Sequence, residues 1–387
     1  MTAREYPVFT VTPKAERSLR AGHPWVYGEE VTAVEGAYQN GDIVDVVSNK
    51  GRYLGTGWVN DHSKIRVRII SRNANDTFDE AFFRRRVCYA LNYRKTVMGP
   101  VDYRCCRLIF GEADQFPGLT VDRFENILVT QVLSLGMERR KDWVYRALVE
   151  LLREDGEQID AIYERNDVAI RTLEGLEQGK GFYQMEGLRT DLSGHVTITE
   201  NRIKYDVDYM EGQKTGFFLD QKYNRQAAAK LARGCRVLDC FTHTGAFALN
   251  AAAAGAEHVT AVDVSAFALE LAAENGKRNG LTNLDYKCAD VFDLLTEMAK
   301  EKKCDYDYII LDPPAFTKSR ATAKNAYHGY KEINRKAMRL LPRGGYLATC
   351  SCSHFMTDEM FRKMLQEAAL DAGVTLRQIE ARQQAPD

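Results

Sequence analysis

The chain has 387 residues and a mass of 43.9 kDa, which is enough for two or three domains with hydrophobic cores of their own. Its 53 basic and 54 acidic side chains leave a net charge of −1, which excludes a globally basic nucleic-acid binder but not a local basic patch. The most apolar stretch, residues 245–255, is too short to span a membrane and no apolar leader opens the chain, so we expect a cytoplasmic protein without a membrane partner.

Residues 1–72 are predicted to form a small β-rich domain. Short runs of alternating apolar residues are separated there by turn signals. In residues 64–70 basic and apolar side chains alternate, which predicts a half-buried strand that presents Arg66 and Arg68 on a cationic outer face. The predicted elements are a helix at 14–19 and strands at 43–47, 53–59 and 64–70.

Residues 73–188 are predicted to form a second domain that mixes helices and strands. Three consecutive arginines, Arg84, Arg85 and Arg86, lie early in its first predicted helix. No motif in this domain indicates a chemistry by itself. The predicted elements are helices at 79–98 and 142–153 and strands at 127–132 and 161–163.

Residues 189–387 change in character, because strands and helices now alternate. This order predicts an α/β fold with a parallel sheet and helices on its faces. Three short apolar runs each end in an acid, at Asp239, Asp263 and Asp312. Ligands of open α/β sheets lie outside the carboxyl ends of the strands, so the three acids mark a candidate site.

The spacing of these acids favours a nucleoside cofactor without a pyrophosphate. The loop after Asp239 has only Gly245, whereas a dinucleotide fingerprint requires three glycines. Asp263 follows Asp239 by 24 residues, an offset at which an acid accepts bonds from ribose hydroxyls. Asp290 can accept from an adenine amino group while Val291 packs on the ring. Each acid could instead be a helix cap, but their order favours S-adenosylmethionine.

Longer strings in the sequence resemble a known family. They are FGEADQFPGLTVDR at 110–123, EGQKTGFFLDQ at 211–221, DPPA at 312–315 and SCSHFM at 351–356. Together they are similar to class I methyltransferases, and among these to bacterial large-subunit ribosomal RNA cytosine-C5 methyltransferases of the RlmI type. The resemblance implies large-subunit ribosomal RNA as partner and a homodimer. It also implies three domains: a PUA-like RNA-binding β-barrel at 1–72, a central α+β domain at 73–188 and a Rossmann-like methyltransferase domain at 189–387.

The residues and the resemblance together define a predicted cofactor site. In the family the segment just before the sheet lies beside S-adenosylmethionine, which adds four residues to those at the strand ends. Family members also continue with a last strand, so we expect a truncated chain or a sheet that lacks an edge strand. The predicted cofactor-binding residues are Phe218, Asp220, Gln221, Arg225, Asp239, Phe241, Thr242, Gly245, Asp263, Val264, Ser265, Asp290, Val291, Asp312 and Pro313.

Methylation of cytosine at C5 requires an activated base, because C5 is a poor nucleophile. A thiolate that adds to C6 makes C5 reactive, and an acid at N3 neutralises the developing charge. Asp312 suits the N3 role. Cys350 and Cys352 share one face of an extended segment, so geometry does not choose between them, although the family's Ser-Cys-Ser string favours Cys352. Ala315 stands where many such enzymes carry a second cysteine, so product release requires another base.

The predicted RNA-binding residues follow the proposed active-site loop. Phe316 could stack on a target base that has left its pairing, although it could equally be a core phenylalanine. Residues 317–343 contain eight basic side chains and one acidic side chain, which favours a rim of the site that contacts RNA phosphates. Part of this run is also typical of a helix with a solvated face. The predicted substrate-binding residues are Pro314, Phe316, Lys318, Arg320, Arg66 and Arg68.

Two other functions remain open at this point. A related enzyme with the same cofactor could methylate guanine and would need no cysteine nucleophile. A non-catalytic RNA-binding scaffold would not bind S-adenosylmethionine at all. No metal is expected, because the histidines do not cluster at ligand spacings and the nine cysteines form no CxxC pair.

Overall fold

The computed structural model describes residues 4–301, 304–317 and 319–387. The chain divides into two compact units. The first unit comprises Met1–Ile198, Val207–Leu219 and Pro386–Asp387, and the second comprises Thr199–Asp206 and Asp220–Ala385.

A six-stranded sheet begins the first unit, in the order β2-β6-β5-β4-β1-β3. Its neighbours pair antiparallel except β1 and β4, which are parallel. Buried valines and Phe9 form its core, so the alternating runs in the sequence do indicate strands here. The elements are β1 (Val8–Val11), α1 (Pro13–Arg20), β2 (Trp25–Tyr27), β3 (Val31–Glu35), β4 (Ile43–Ser48), β5 (Tyr53–Val59) and β6 (Ile65–Ser71).

A five-stranded sheet follows in the same unit, in the order β11-β10-β9-β8-β7. Its parallel pair, β9 and β10, is connected through the amphipathic helix α4. The elements are α2 (Glu80–Val97), β7 (Cys105–Phe110), β8 (Leu119–Phe124), β9 (Ile127–Val132), α3 (Leu135–Glu138), α4 (Lys141–Glu154), β10 (Ala161–Asn166) and β11 (Gly179–Phe182). A separate two-stranded sheet is formed by β12 (His195–Glu200) and β13 (Ile203–Asp208).

The second unit is an α/β domain with a five-stranded parallel sheet, in the order β16-β15-β14-β17-β18. The three central strands are apolar runs because helices cover both faces. The α/β fold class is therefore confirmed. The elements are α5 (Lys222–Ala229), β14 (Arg236–Cys240), α6 (Ala246–Ala253), β15 (His258–Asp263), α7 (Ala266–Arg278), β16 (Leu284–Cys288), α8 (Val291–Glu301), β17 (Tyr308–Leu311), α9 (Ala323–Leu340), β18 (Tyr346–Thr349) and α10 (Asp358–Ala372).

The strand order places a ligand crevice at a definite point. From β14 the chain moves outward through β15 and β16, and then returns to place β17 on the other side of β14. This reversal between β14 and β17 is the topological switch point at which open α/β sheets bind ligands. Within the described residues, β18 forms one edge of the sheet. In the same part of the chain, no helix combines the length and apolar character that crossing a membrane requires.

Candidate active site

Asp239 is the penultimate residue of β14, at the switch point, and is completely buried. Its Oδ2 accepts a hydrogen bond from the Thr242 hydroxyl at 2.5 Å and another from the Ala248 backbone N–H at 2.9 Å. Its Oδ1 has no hydrogen-bond partner among the described residues. A buried carboxylate oxygen without a donor is costly, which indicates that a ligand supplies the missing contact.

Electrostatics at Asp239 also favour a cationic ligand. The pKa of this carboxyl is raised to about 7, chiefly by burial and also by the negative charges of Asp312 and Asp263, against the opposing effect of the hydrogen bonds from Thr242 and the Ala248 N–H. The three acids therefore repel one another when all are ionised. S-adenosylmethionine carries a sulfonium and an ammonium group, and a cation placed here would relieve that repulsion.

The loop between β14 and α6 has an unusual backbone conformation. Phe241 and His243 have φ values of 63° and 52°, in the left-handed region that non-glycine residues rarely adopt. Gly245 follows with φ 82°, and a Cβ on it would lie 2.9 Å from the Cβ of Ala272. This loop is thus held in a strained form, as loops at ligand sites commonly are, and only glycine fits at its end.

Asp263, at the end of β15, draws two backbone segments together. Its Oδ2 accepts from the His243 backbone N–H at 2.8 Å and its Oδ1 from the Ser265 N–H at 2.9 Å. The Ser265 hydroxyl caps α7 by accepting from the Ala268 N–H at 3.2 Å. Because each carboxylate oxygen has a second lone pair, Asp263 retains acceptor capacity for a ribose hydroxyl.

Other predicted cofactor residues have structural partners of their own. Asp290 caps α8 by accepting from the Phe292 N–H at 2.7 Å. Val291 is buried in a hydrophobic cluster of the second unit, whereas Val264, directly after β15, is 73% exposed. The contact of Val291 with the adenine ring stays a prediction.

Residues of the segment before the sheet divide between the two units. Phe218 lies in the first unit, where the Lys214 ammonium is 4.7 Å from its ring centroid. Asp220 is exposed in the second unit. The Arg225 guanidinium makes two hydrogen bonds, at 2.6 and 2.8 Å, to the completely buried carboxylate of Glu200. Arg225 thus stabilises the fold around the site by neutralising a buried charge.

Gln221 connects the predicted cofactor segment to the Asp-Pro-Pro loop after β17. Its side-chain amide donates to Asp312 Oδ1 at 3.2 Å. Its carbonyl accepts from the Asn224 amide at 2.6 Å, which fixes the orientation of the Gln221 side chain. Asn224 was not among the predicted site residues, and no pattern in the sequence indicates this contact.

The two candidate cysteines occupy different environments. Cys350 is half-buried against the core, and burial, with the Asp312 charge next, raises the pKa of its thiol well above the usual value. Cys352 is exposed, and its Sγ lies 3.8 Å from the Pro313 carbonyl oxygen. The Ser-Cys-Ser loop and the Asp-Pro-Pro loop are therefore adjacent at the carboxyl edge of the sheet.

Tyr330 on α9 is a site residue that sequence reasoning missed. Its buried hydroxyl lies 2.9 Å from the Ser353 hydroxyl and also hydrogen-bonds Ser351, so it contacts both serines that flank Cys352. Its ring packs on Phe316, with centroids 4.4 Å apart. The helical spacing of buried residues on α9 indicates that Tyr330 faces the core, but not what its hydroxyl binds.

The RNA contacts predicted for Phe316 and its neighbours stay predictions. Phe316 is half-buried and also packs against Phe292, with centroids 5.8 Å apart, so a core role accounts for much of its surface. Pro314 is exposed beside it. Lys318 and the side chain of Arg320 lie outside the described residues.

Some basic side chains of the predicted rim on α9 have acidic partners, and contact of this rim with phosphates stays a prediction. Lys331 pairs with Glu367 and Asp371 of α10, and Arg335 pairs with Glu332 of its own helix. The helix spans 18 residues, about 27 Å, and begins near the carboxyl edge of the parallel sheet. The basic side chains in its last turns therefore lie far from that edge. The local excess of positive charge was overestimated because it counted only acids nearby in sequence.

The first unit does not present the cationic strand face that we predicted for β6. Arg68 is buried, and its guanidinium donates to Glu174 at 2.6 Å. Arg66 is half-buried and pairs with Asp61 at 2.8 Å. Both side chains pair with acids from other segments. The alternating sequence pattern therefore predicted the strand correctly but not how exposed the two arginines are.

Comparison with known proteins identifies the class. A family model described as a PUA-like domain matches residues 9–72, and one described as an S-adenosylmethionine-dependent methyltransferase matches residues 183–387. A protein from Streptococcus mutans, solved as a candidate SAM-dependent methyltransferase, shares 22% identity with a TM-score of 0.75 and covers 94% of this chain and 90% of its own. A second methyltransferase candidate, solved complexed with SAH, has a TM-score of 0.76 at 22% identity over 93% and 90%. At this identity the likeness concerns the fold alone.

Curated relatives are closer in sequence. The ribosomal RNA large subunit methyltransferase I of Pseudoalteromonas atlantica is 40% identical over 380 residues, 98% of this chain and 93% of the relative. The protein of that name from Photobacterium profundum is 42% identical over 375 residues, 96% and 92%. The chain therefore belongs to this family of S-adenosylmethionine-dependent methyltransferases. S-adenosylmethionine is its cofactor, and the unpartnered Asp239 oxygen among mutually repelling acids fits that cationic ligand.

Proposed function

We propose that this enzyme methylates C5 of a cytosine in large-subunit ribosomal RNA through a covalent adduct with Cys352. The relatives named above carry a ribosomal RNA methyltransferase name, which supports the RNA substrate. The observation that carries the cytosine assignment is the adjacency of an exposed thiol, Cys352, to the Asp312-Pro313 segment. Action on ribosomal RNA also accords with the cytoplasmic location expected from the sequence.

The proposed reaction is a nucleophilic addition, a methyl transfer and an elimination. The Cys352 thiolate adds to C6 of cytosine, while the Asp312 carboxyl hydrogen-bonds N3 and neutralises the charge that develops there. Bound S-adenosylmethionine supplies the electrophilic methyl group, which C5 accepts. A base then removes the C5 proton, and the C6–S bond breaks to release 5-methylcytosine and the Cys352 thiolate.

The environments of the two cysteines support Cys352 over Cys350 as nucleophile. The thiolate, not the thiol, is the attacking species, and an attacking group must reach the base. The raised pKa of Cys350 keeps it protonated, and its packing against the core hinders access. Cys352 is exposed and meets the access requirement.

The experiment that tests this proposal measures methyl transfer from labelled S-adenosylmethionine to unmodified large-subunit ribosomal RNA, followed by nucleoside mass spectrometry. Wild type should yield 5-methylcytosine, and Cys352→Ala should lose at least ~10³-fold in rate. Cys350→Ala is the matched control and should retain activity. RNA containing 5-fluorocytosine should trap a covalent complex with wild type and with Cys350→Ala but not with Cys352→Ala, because fluorine cannot leave as the C5 proton does. Methylated guanosine, or an active Cys352→Ala variant, would contradict the proposal.

A further inference from the structure

The three consecutive arginines of α2 have three different environments. Arg84 binds Glu150 at 2.7 Å and Glu154 at 2.8 Å, so its charge is fully paired. Arg85 binds Asp76 at 3.2 Å and remains largely exposed. Arg86 forms no ion pair within the described residues. Its guanidinium donates to the backbone carbonyl of Ile70 at 3.1 Å.

Arg85 and Arg86 open onto a polar cavity in the first unit. The cavity has a volume of about 310 Å³, which is in the range of small-ligand sites. It contains one acid, Asp76, and two guanidinium groups. Its lining residues are Asn73, Asp76, Arg85, Arg86, Tyr89 and Gln115.

The single acid of the cavity does not neutralise both cations. The Asp76 carboxylate already accepts from the Ser71 hydroxyl at 2.6 Å, from the Asn73 amide at 3.3 Å and from Arg85. Burial lowers the pKa of Arg86, as does the charge of Arg85, although an arginine remains protonated throughout the physiological range. The cavity therefore holds an excess positive charge that is partly shielded from water, which favours an anion.

Two further features of the wall favour a nucleotide over a free ion. Tyr89 is 60% exposed on α2, one turn beyond Arg85, so its ring offers an open stacking surface. Gln115 also lines the cavity. Its amide can both donate and accept, as the edges of nucleobases require.

We propose that this cavity binds one phosphodiester group of the RNA substrate, with Arg85 and Arg86 on the phosphate oxygens and an adjoining unpaired base on Tyr89. Arginine suits the first role because its planar fork matches phosphate oxygens. Aromatic rings suit the second because bases of single-stranded RNA stack on them. The inference rests on the proposed RNA substrate and adds to it a contact remote in sequence from Cys352.

The test compares the affinity of the full-length protein for large-subunit ribosomal RNA as salt rises. Arg86→Gln should flatten the slope of log K against log salt by roughly 0.7, the value for one phosphate contact of a single strand. Tyr89→Ala should weaken binding by roughly fivefold or more and leave the slope unchanged, because stacking releases no counterion. Arg84→Ala is the matched control on the same helix and should change neither quantity.

A purely structural role for these residues would not separate slope from affinity in this way. Tyr89 is exposed, so Tyr89→Ala keeps the test decisive even if Arg86→Gln lowers the melting temperature. Equal affinities and slopes for wild type, Tyr89→Ala and Arg86→Gln would contradict the proposed RNA-binding role of the cavity. If wild type still methylates the RNA in that case, the proposed function remains intact. Failure of wild type to methylate or bind this RNA would overturn the proposed function instead, and the cavity's role with it.

Discussion

The two halves of the carboxyl edge of the parallel sheet are built in different ways. On the cofactor side, Asp239 is held by Thr242 and Ala248 from its own loop and helix. On the side proposed to hold the target base, called the target side below, Asp312 is held by Gln221, which lies 91 residues away, and the Cys352 thiol contacts a carbonyl 39 residues away. Asp239 is thus positioned by contacts that are local in sequence, whereas the proposed reacting groups depend on several separate segments being placed correctly.

This difference can be tested first at Asp312, where the largest effect is expected. Asp312→Asn retains an oxygen that can accept from Gln221, so the loop should keep its position. It removes the carboxyl proposed to act at N3 of the base. We expect the rate of methyl transfer to fall by roughly 10²- to 10⁴-fold while S-adenosylmethionine affinity, measured by calorimetry, changes only a few-fold.

Asp307→Asn provides the control for that substitution. Asp307 precedes the same strand at its opposite end, where it is exposed and accepts from the Arg236 N–H at 3.0 Å. Loss of the Asp307 charge should leave both the rate of methyl transfer and the affinity for S-adenosylmethionine close to those of wild type. An Asp312→Asn enzyme that keeps more than about a tenth of its activity would exclude a proton-handling role for Asp312.

The same contrast explains what the sequence could predict. The acids near strand ends and the missing glycines are local signals, and the predicted cofactor side of the site depends on them. The contacts of Gln221 and Tyr330 join distant segments, and no spacing rule predicts them. The burial of Arg68 was missed for the same reason, because its acidic partner is 106 residues away.

A second and smaller effect is expected in the pH dependence of stability. The folded state holds the Asp239 proton up to about pH 7, whereas an ordinary aspartate loses it near 3.8. The unfolded chain therefore binds fewer protons between these values, and the free energy of unfolding should fall as pH rises from about 4 to about 7. Asp239→Asn keeps both acceptor contacts without the charge and should remove this fall, a difference of up to a few kcal/mol at pH 8.

Denaturant unfolding at a series of pH values checks this expectation. Glu257→Gln is a suitable control, because Glu257 is largely exposed and pairs with Arg236 on the surface. It should follow the wild-type pH profile closely. A wild-type protein whose stability relative to Asp239→Asn does not change between pH 5 and pH 8 would mean that Asp239 is ionised in the folded state.

The smallest effect, and the one that most sharpens the comparison, is expected at Tyr330. Tyr330→Phe keeps the ring that packs on Phe316 and removes only the hydroxyl that contacts Ser351 and Ser353. We expect a loss of about 1 kcal/mol in unfolding free energy. Because the thiol of Cys352 lies between the two serines, kcat should fall by roughly tenfold while KM for RNA stays unchanged.

A double-mutant cycle separates this positioning role from general destabilisation. If the hydroxyl acts through Ser353, Ser353→Ala should have little further effect on kcat in the Tyr330→Phe background, because the same contact is already lost. Tyr346→Phe on the neighbouring strand removes a hydroxyl from the same unit without touching either serine, and should leave kcat unchanged. Additive losses of kcat at Tyr330 and Ser353 would show that the target side is held by independent contacts. In that respect it would then resemble the cofactor side.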